Sequence, residues 1–285
     1  MNSVEKICSI FSTKNFKVSP LKGSVFGVQV TGPTLSSPVS NEIECHIQKL
    51  VTEARLVVFR DQSIVPGRRQ VEISTWFGPL ESTFYKHPMS PDPDVFRVSN
   101  DPVQGCTNVG RTGMHVDGSF QPSPFSHALY HIINCPSKGD TIFLPLKEFL
   151  DAMPADYRAR LERLHMCSDR RHTSAKPIVY KHPVTGQDTM CFHLGMIAGF
   201  IWDKGSTAER LTDPRETTQL LRELESAILD CKDTLWYRHK WQPGDFIISD
   251  NVALAHEASP ETQLDPGIVG LRVMHRTTTT GYASR

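Results

Sequence analysis

The chain has 285 residues, 39% hydrophobic and 22% charged, which is enough for one large domain or two small ones with a substantial core. Lys+Arg and Asp+Glu both number 31, so the formal net charge is zero and no overall field recruits nucleic acid or an anionic membrane. Seven scattered cysteines without a C-x-x-C pair argue against a structural zinc site or a thioredoxin-type motif, and reduced thiols are expected.

Met1 to Lys6 lack the apolar core of a signal peptide, and no apolar run reaches the ~20 residues that cross a bilayer. A cytoplasmic protein is expected. Residues 40 to 54 carry Ile43, Ile47, Leu50 and Val51 at helical spacing. Residues 55 to 60 form a short run with β-branched side chains, which predicts a buried strand. Residues 67 to 77 read as a helix stopped by Phe77-Gly78-Pro79. Strands are predicted over 128–133 and 141–144, with turn chemistry at Pro136 to Asp140 between them. Residues 146 to 165 read as helix broken at Pro154. Another helix is predicted over 213–231. There Asp213 is the N-cap, Pro214 takes the first position and Glu216 completes a capping box. Leu220, Leu221, Leu224 and Ile228 line one of its faces. Strands follow at 235–237, 245–248 and 269–277.

No internal repeat or linker interrupts the chain. A single domain over 1–285 is expected, with a helical insertion around 146–231. Strands on both sides of that insertion argue against a doubly wound fold. The expected class is mainly β with flanking helices (α+β), arranged as a jelly roll.

His115-Val116-Asp117, read with the later His256, supplies two imidazoles and one carboxylate. That is the ligand set of a mononuclear Fe(II) site with an open face for oxygen chemistry. On a strand, residues i and i+2 share a face, so His115 and Asp117 could bind one ion while Val116 packs behind. The spacing also fits a surface histidine beside an N-capping aspartate, with His256 as a hydrogen-bonded core residue. Arg272 and Arg276 fall on one face of the last predicted strand. Arginine grips carboxylates in two-pronged fashion, though solvated arginines on an exposed face have the same spacing.

Several segments occur in a telling order: Phe77-Gly78-Pro79-Leu80, His115-Val116-Asp117 with Phe120, Gly139-Asp140-Thr141, Trp241-Gln242-Pro243-Gly244-Asp245, Asp250-Asn251, His256, and Arg272-Val273-Met274-His275-Arg276. On these the chain resembles the taurine dioxygenase family of Fe(II)/2-oxoglutarate-dependent oxygenases over nearly its whole length. The resemblance implies a double-stranded β-helix and an oxygenase that uses Fe(II), 2-oxoglutarate and O2. It implies that His115, Asp117 and His256 ligate the iron. Thr141 and Arg272 would hold the distal carboxylate of 2-oxoglutarate. Arg276 would lie near the iron-bound end of the co-substrate and the anionic group of the substrate.

The departures from the family pattern fall on the substrate side. Met114 stands where the taurine enzyme has Trp, and Arg111 where it has Asn. The histidine that contacts the sulfonate there has no secure counterpart, His87 being nearest. The expected substrate is therefore a small anionic molecule, such as an amino acid or a sulfonate, rather than taurine itself. Arg111 and Arg276 would meet its charge, and Tyr85, His87 and Met196 would line the pocket. Halogenating relatives lack the carboxylate that Asp117 supplies, so hydroxylation is expected, with desaturation or cyclisation as other exits from the same radical. A homo-oligomer, dimer or tetramer, is expected, without nucleic acid or membrane partners. Two rivals remain at this point. One is a metal-binding jelly-roll sensor without turnover, in which Thr141 and Arg272 would be idle. The other is a Zn(II) hydrolase on the same three ligands.

Overall fold

The computed structural model describes residues 3–81, 85–110, 112–169 and 175–282. The helices, in chain order, are α1 (Ser3–Phe11), α2 (Asn41–Ala54), α3 (Gly67–Thr75), α4 (Leu146–Ala152), α5 (Ala155–Glu162), α6 (Pro214–Asp230) and α7 (Pro266–Val269). The strands are β1 (Lys17–Pro20), β2 (Val28–Thr31), β3 (Leu56–Phe59), β4 (Leu80–Glu81), β5 (Phe96–Ser99), β6 (His127–Asn134), β7 (Thr141–Pro145), β8 (Leu164–Ser168) and β9 (Lys176–Pro177). They continue as β10 (Val179–Lys181), β11 (Asp188–Met190), β12 (Ile197–Trp202), β13 (Arg210–Leu211), β14 (Tyr237–His239), β15 (Phe246–Asp250), β16 (Leu254–Ala258) and β17 (Val273–Thr279). No helix among the described residues is long and apolar enough to cross a membrane.

An eight-stranded sheet runs β1-β2-β3-β15-β6-β17-β4, with β5 also paired to β17. All its pairings are antiparallel except β2 with β3. A three-stranded sheet, β14-β7-β16, faces it. Side chains alternate across each strand, and the alternation builds the layers. Val58, Tyr130, Ile132, Ile247 and Met274 of the large sheet meet Phe143, Tyr237 and Leu254 of the small one in the core between them. Val57, Phe59, Leu129, Phe246 and Ile248 face the other way, onto α1, α2 and α3. Behind the small sheet, Ile142, Leu144 and Ala255 pack on α4, α5, α6 and the four-stranded sheet β13-β12-β8-β9. This is the expected jelly roll with flanking helices.

Local chemistry moved several boundaries. Arg55, expected in a strand, is instead the left-handed C-cap of α2 at φ 65°. Ser40 closes the other end of that helix by accepting from Ile43 N. Asp213 caps α6 as predicted, accepting from Glu216 N at 2.8 Å. Glu216 does not close the capping box, because its carboxylate is engaged by Trp202 Nε1 and by both terminal nitrogens of Arg210. Residues 235–236 precede β14 rather than joining it. The last strand starts at Val273, not at 269, because Gly270 adopts φ 90° after α7. The stretch 146–231 is only partly helical: between α5 and α6 lie the six short strands β8 to β13.

His127, at the start of β6, is buried against Phe77, and its Nδ1 faces Ser126 Oγ at 3.2 Å. Burial pushes its pKa down to about 4, partly offset by Asp250. The unfolded chain, with an ordinary value near 6.5, takes up this proton first as pH falls. Stability from His127 is therefore complete above ~6.5 and is lost progressively toward pH 4, by up to about 1.4 kcal/mol per pH unit. Urea unfolding of the chain and of His127→Gln at pH 7, 6 and 5 checks this. The variant should show the shallower pH slope; parallel slopes would clear His127 of the effect.

Candidate metal centre

Backbone pairing brings His115 and His256 together. Each donates its amide to the other's carbonyl, at 3.1 and 2.8 Å, as an antiparallel bridge. Directly opposed residues in such a bridge project to one face, and the two rings lie 4.6 Å apart. His256 comes from β16 and points into the core against Phe143 and Tyr130. His115 lies in a loop that makes isolated bridges only, so the expected strand through 115–117 is absent. Val116 still packs fully buried behind the pair, in the outer core. The chain then turns through Gly118 at φ +70°, where a Cβ would sit 2.6 Å from the Phe125 ring. Only glycine suits that turn.

His115, Asp117 and His256 each offer one ligand atom within 4.8 Å of the others. Asp117 Oδ1 is 3.7 Å from His115 Nε2, and Oδ2 is 3.5 Å from His256 Nε2. His115 Nδ1 donates to the Gly113 carbonyl at 2.7 Å. That bond keeps the proton on Nδ1 and turns the Nε2 lone pair toward the cluster. Burial lowers the pKa of His115 and pushes that of His256 down to about 3, so both rings are neutral. Burial alone would raise Asp117. The Arg276 guanidinium beside it overturns this and holds the carboxyl well below the usual carboxylate range. Arg276 Nη1 donates to Asp117 Oδ2 at 2.8 Å, and its guanidinium sits 5.0 Å from the Phe96 ring centroid. Two neutral imidazoles and one ionised carboxylate on a single face fit Fe(II) with open coordination positions.

A second feature fits an organic anion. Arg272 is 3% exposed, its Nε has no partner, and its Nη2 reaches only the Met274 sulfur at 3.7 Å. No acidic side chain among the described residues pairs with it. Burial pushes its pKa down to about 10, with nearby Cys135 working the other way. A buried cation without a counter-ion is expensive, so the place suits an incoming carboxylate. Thr141 is buried too, and its Oγ1 accepts from Trp241 Nε1 at 3.1 Å, which leaves its own hydroxyl proton to donate.

A cavity of about 740 Å³ reaches two of the three ligand candidates, His115 and Asp117. Its floor includes His115, Asp117 and Arg276, and its walls carry four aromatic side chains beside Thr107, Asn108 and Thr112. Tyr85 stacks on Phe96 at 4.8 Å, and Phe120 meets Phe125 edge to face at 6.5 Å. Met196 lines it as well. His87 does not: it is half-buried, and its Nε2 bonds the Pro102 carbonyl at 3.1 Å. Arg111 lies outside the described residues.

Two cavity or site residues had no signal in the linear motif. His193 bridges His115 from the other side and stacks on its ring at 4.5 Å. Tyr130 places its hydroxyl 3.3 Å from His256 Nε2; its inward alternation in the strand predicted over 128–133 was the available clue. A larger hollow, about 900 Å³, lies between α1 and the β10–β11 hairpin. Its buried polar pair, His182 and Asp250, is already satisfied at 3.0 Å and by backbone amides, and offers no comparable chemistry.

The sequence pattern of the family described as taurine catabolism dioxygenase TauD, TfdA family matches residues 17–278. The (S)-phenoxypropionate/alpha-ketoglutarate-dioxygenase of Sphingobium herbicidovorans is 26% identical, over 86% of this chain and 90% of its own length. The alpha-ketoglutarate-dependent 2,4-dichlorophenoxyacetate dioxygenase of Cupriavidus pinatubonensis is 27% identical, over 74% and 80%. The crystal structure of a taurine dioxygenase from Burkholderia xenovorans shares the fold, with a TM-score of 0.74 at 24% identity over 94% and 92% of the two chains.

Proposed function

Since the chain belongs to the TauD, TfdA family and is an Fe(II)- and 2-oxoglutarate-dependent dioxygenase, we propose that His115, Asp117 and His256 hold the iron and that the substrate is a small organic acid with an apolar, aromatic body. The observation that carries this reading is a three-donor face, two of whose members line a cavity with four aromatic side chains in its walls, together with a buried guanidinium that no acid among the described residues neutralises. The chain would act as one domain.

Fe(II), 2-oxoglutarate and O2, when bound, supply the oxidation of an unactivated C–H bond, with succinate and carbon dioxide as co-products. The residues do the placing. Arg272 pairs with the distal carboxylate of 2-oxoglutarate, and Thr141 donates its hydroxyl proton to the same group. The neutral imidazoles present Nε2 lone pairs. Arg276 secures the outer oxygen of Asp117 and offers its remaining N–H groups to the anion of the substrate. The Tyr85–Phe96 and Phe120–Phe125 pairs orient an apolar body and keep water from the reacting carbon. Hydroxylation is the outcome proposed.

The two relatives above are named for phenoxypropionate and dichlorophenoxyacetate. Acids of that shape fill an aromatic-walled cavity, whereas a short amino acid or alkyl sulfonate leaves the walls unsatisfied. Oxygen-dependent succinate release is the assay, run with aryl carboxylates, aliphatic carboxylates, sulfonates and the neutral amides of each. Aryl acids should give the highest turnover. Their amides should fall roughly 10- to 100-fold, the value of a hydrogen bond to a charged group. Preference for neutral compounds would reject the anionic reading, and indifference to the ring would reject the aromatic one.

A further inference from the structure

We propose that Asn251 is a positioning residue for the metal face: its carboxamide sets where the Asp117 carboxylate stands against the two imidazoles. The inference rests on the assignment of His115, Asp117 and His256 as ligands. Asn251 is 1% exposed and does not line the cavity. Its Oδ1 accepts from Asp117 N at 3.0 Å, and its Nδ2 donates to Asp117 O at 3.0 Å and to Phe125 O at 2.7 Å. One side chain thus satisfies both backbone polar groups of residue 117. Among side chains of this length, only an amide offers an acceptor and two donors in this arrangement.

The placement of Asn251 matters as much as its bonds. It lies in the turn between β15 and β16, five residues before His256. The turn that leads into the strand carrying one imidazole therefore also grips the loop that carries the carboxylate. Asp250 stiffens that turn: Oδ1 accepts from Val252 N and Ala253 N, and Oδ2 faces His182 Nε2 at 3.0 Å. The amide of Asn251 donates to Ser126 O at 3.0 Å. From the opposite side, buried Lys176 donates to Ser119 O at 2.7 Å, two residues beyond Asp117. With its backbone fixed at both atoms, Asp117 keeps only its side-chain torsions, and Arg276 restrains those.

A purely structural stitch would lower stability and leave metal affinity alone, so the test separates the two. Apo protein is titrated anaerobically with Co(II), reading the dissociation constant and the visible absorption of the bound ion, and melted without metal. Asn251→Ala removes all three bonds. Asn251→Asp keeps the size and the acceptor but sets an oxygen against the carbonyls of Asp117 and Phe125. Gln70→Ala is the control, since Gln70 Nε2 faces Leu129 O, His275 O and Thr277 Oγ1 at 3.2–3.3 Å in a core outside the ligand loop. Both Asn251 variants should bind Co(II) roughly 10- to 100-fold more weakly, as for other partners behind a ligand, with a changed spectrum. Gln70→Ala should melt lower and bind Co(II) unchanged. Unchanged affinity in the Asn251 variants, an equal loss in Gln70→Ala, or failure of both Asn251 variants to fold would each overturn the proposal. Asp117→Ala is titrated alongside. If it keeps full affinity, the ligand assignment fails; if it loses affinity while the Asn251 variants keep theirs, only the positioning role fails.

Discussion

Asp117→Ala is expected to abolish coupled succinate release. Asp117 is the one anionic donor of the proposed face, and it also anchors Arg276 at 2.8 Å. The substitution therefore removes a donor and leaves a guanidinium over the site without its partner. Residues behind a ligand typically change metal affinity or activity 10- to 100-fold, so loss of a donor should cost on the order of 100-fold or more. Succinate formation, followed at matched iron loading with and without substrate, measures it. Undiminished product would take Asp117 out of the centre and with it the three-donor reading.

Arg272→Met should separate co-substrate binding from stability, with opposite signs. In the free protein Arg272 is a buried charge without a counter-ion among the described residues. Replacing it by an apolar side chain of similar length removes that desolvation penalty, so the variant should melt no lower than the unaltered chain. Its KM for 2-oxoglutarate should rise on the order of 100-fold, the scale of truncating one partner of a buried charge pair. Thermal melts give an independent readout. Saturating 2-oxoglutarate stabilises a protein that binds it, by about 2.7 kcal/mol at one hundred times Kd. The unaltered chain should show that shift and Arg272→Met should not. Equal stabilisation of both would place the distal carboxylate elsewhere.

Strands β3, β6, β7 and β15 were legible as short apolar runs, but their layering was not: apolar on both faces, their alternate residues are sorted into separate cores only by the fold. The helices at 41–54 and 214–230 were legible because caps and a one-sided apolar stripe agree there. Strands β8 to β13 were not. Several are only two or three residues long, too short for a period to register, and β8 finds β12 only across the intervening β10–β11 hairpin.

In the candidate site, His115, Asp117 and His256 stood out as residue types, and the structure brings them together. The reason anticipated, a shared strand face, is not how it happens. A backbone bridge across 141 positions aligns the two imidazoles, and a carboxamide five residues before His256 holds the acid. Local spacing carries no trace of either. The same applies to His193, which reaches the cluster only by bridging His115. His87 was a positional guess, and its ring is turned to Pro102.

The strand nearest the C-terminus does not lie at the margin of its sheet. β17 inserts between β6 on one side and β4 and β5, each paired to it, on the other, and Arg276 is on it, with Arg272 just before it. During synthesis, β6 must wait with an unpaired edge until Val273–Thr279 has left the ribosome. Such an edge invites pairing with other nascent chains. Production of this enzyme should therefore depend on slow growth or holding chaperones more than its melting temperature would suggest, and ribosome-stalled chains ending before residue 272 should be captured by them.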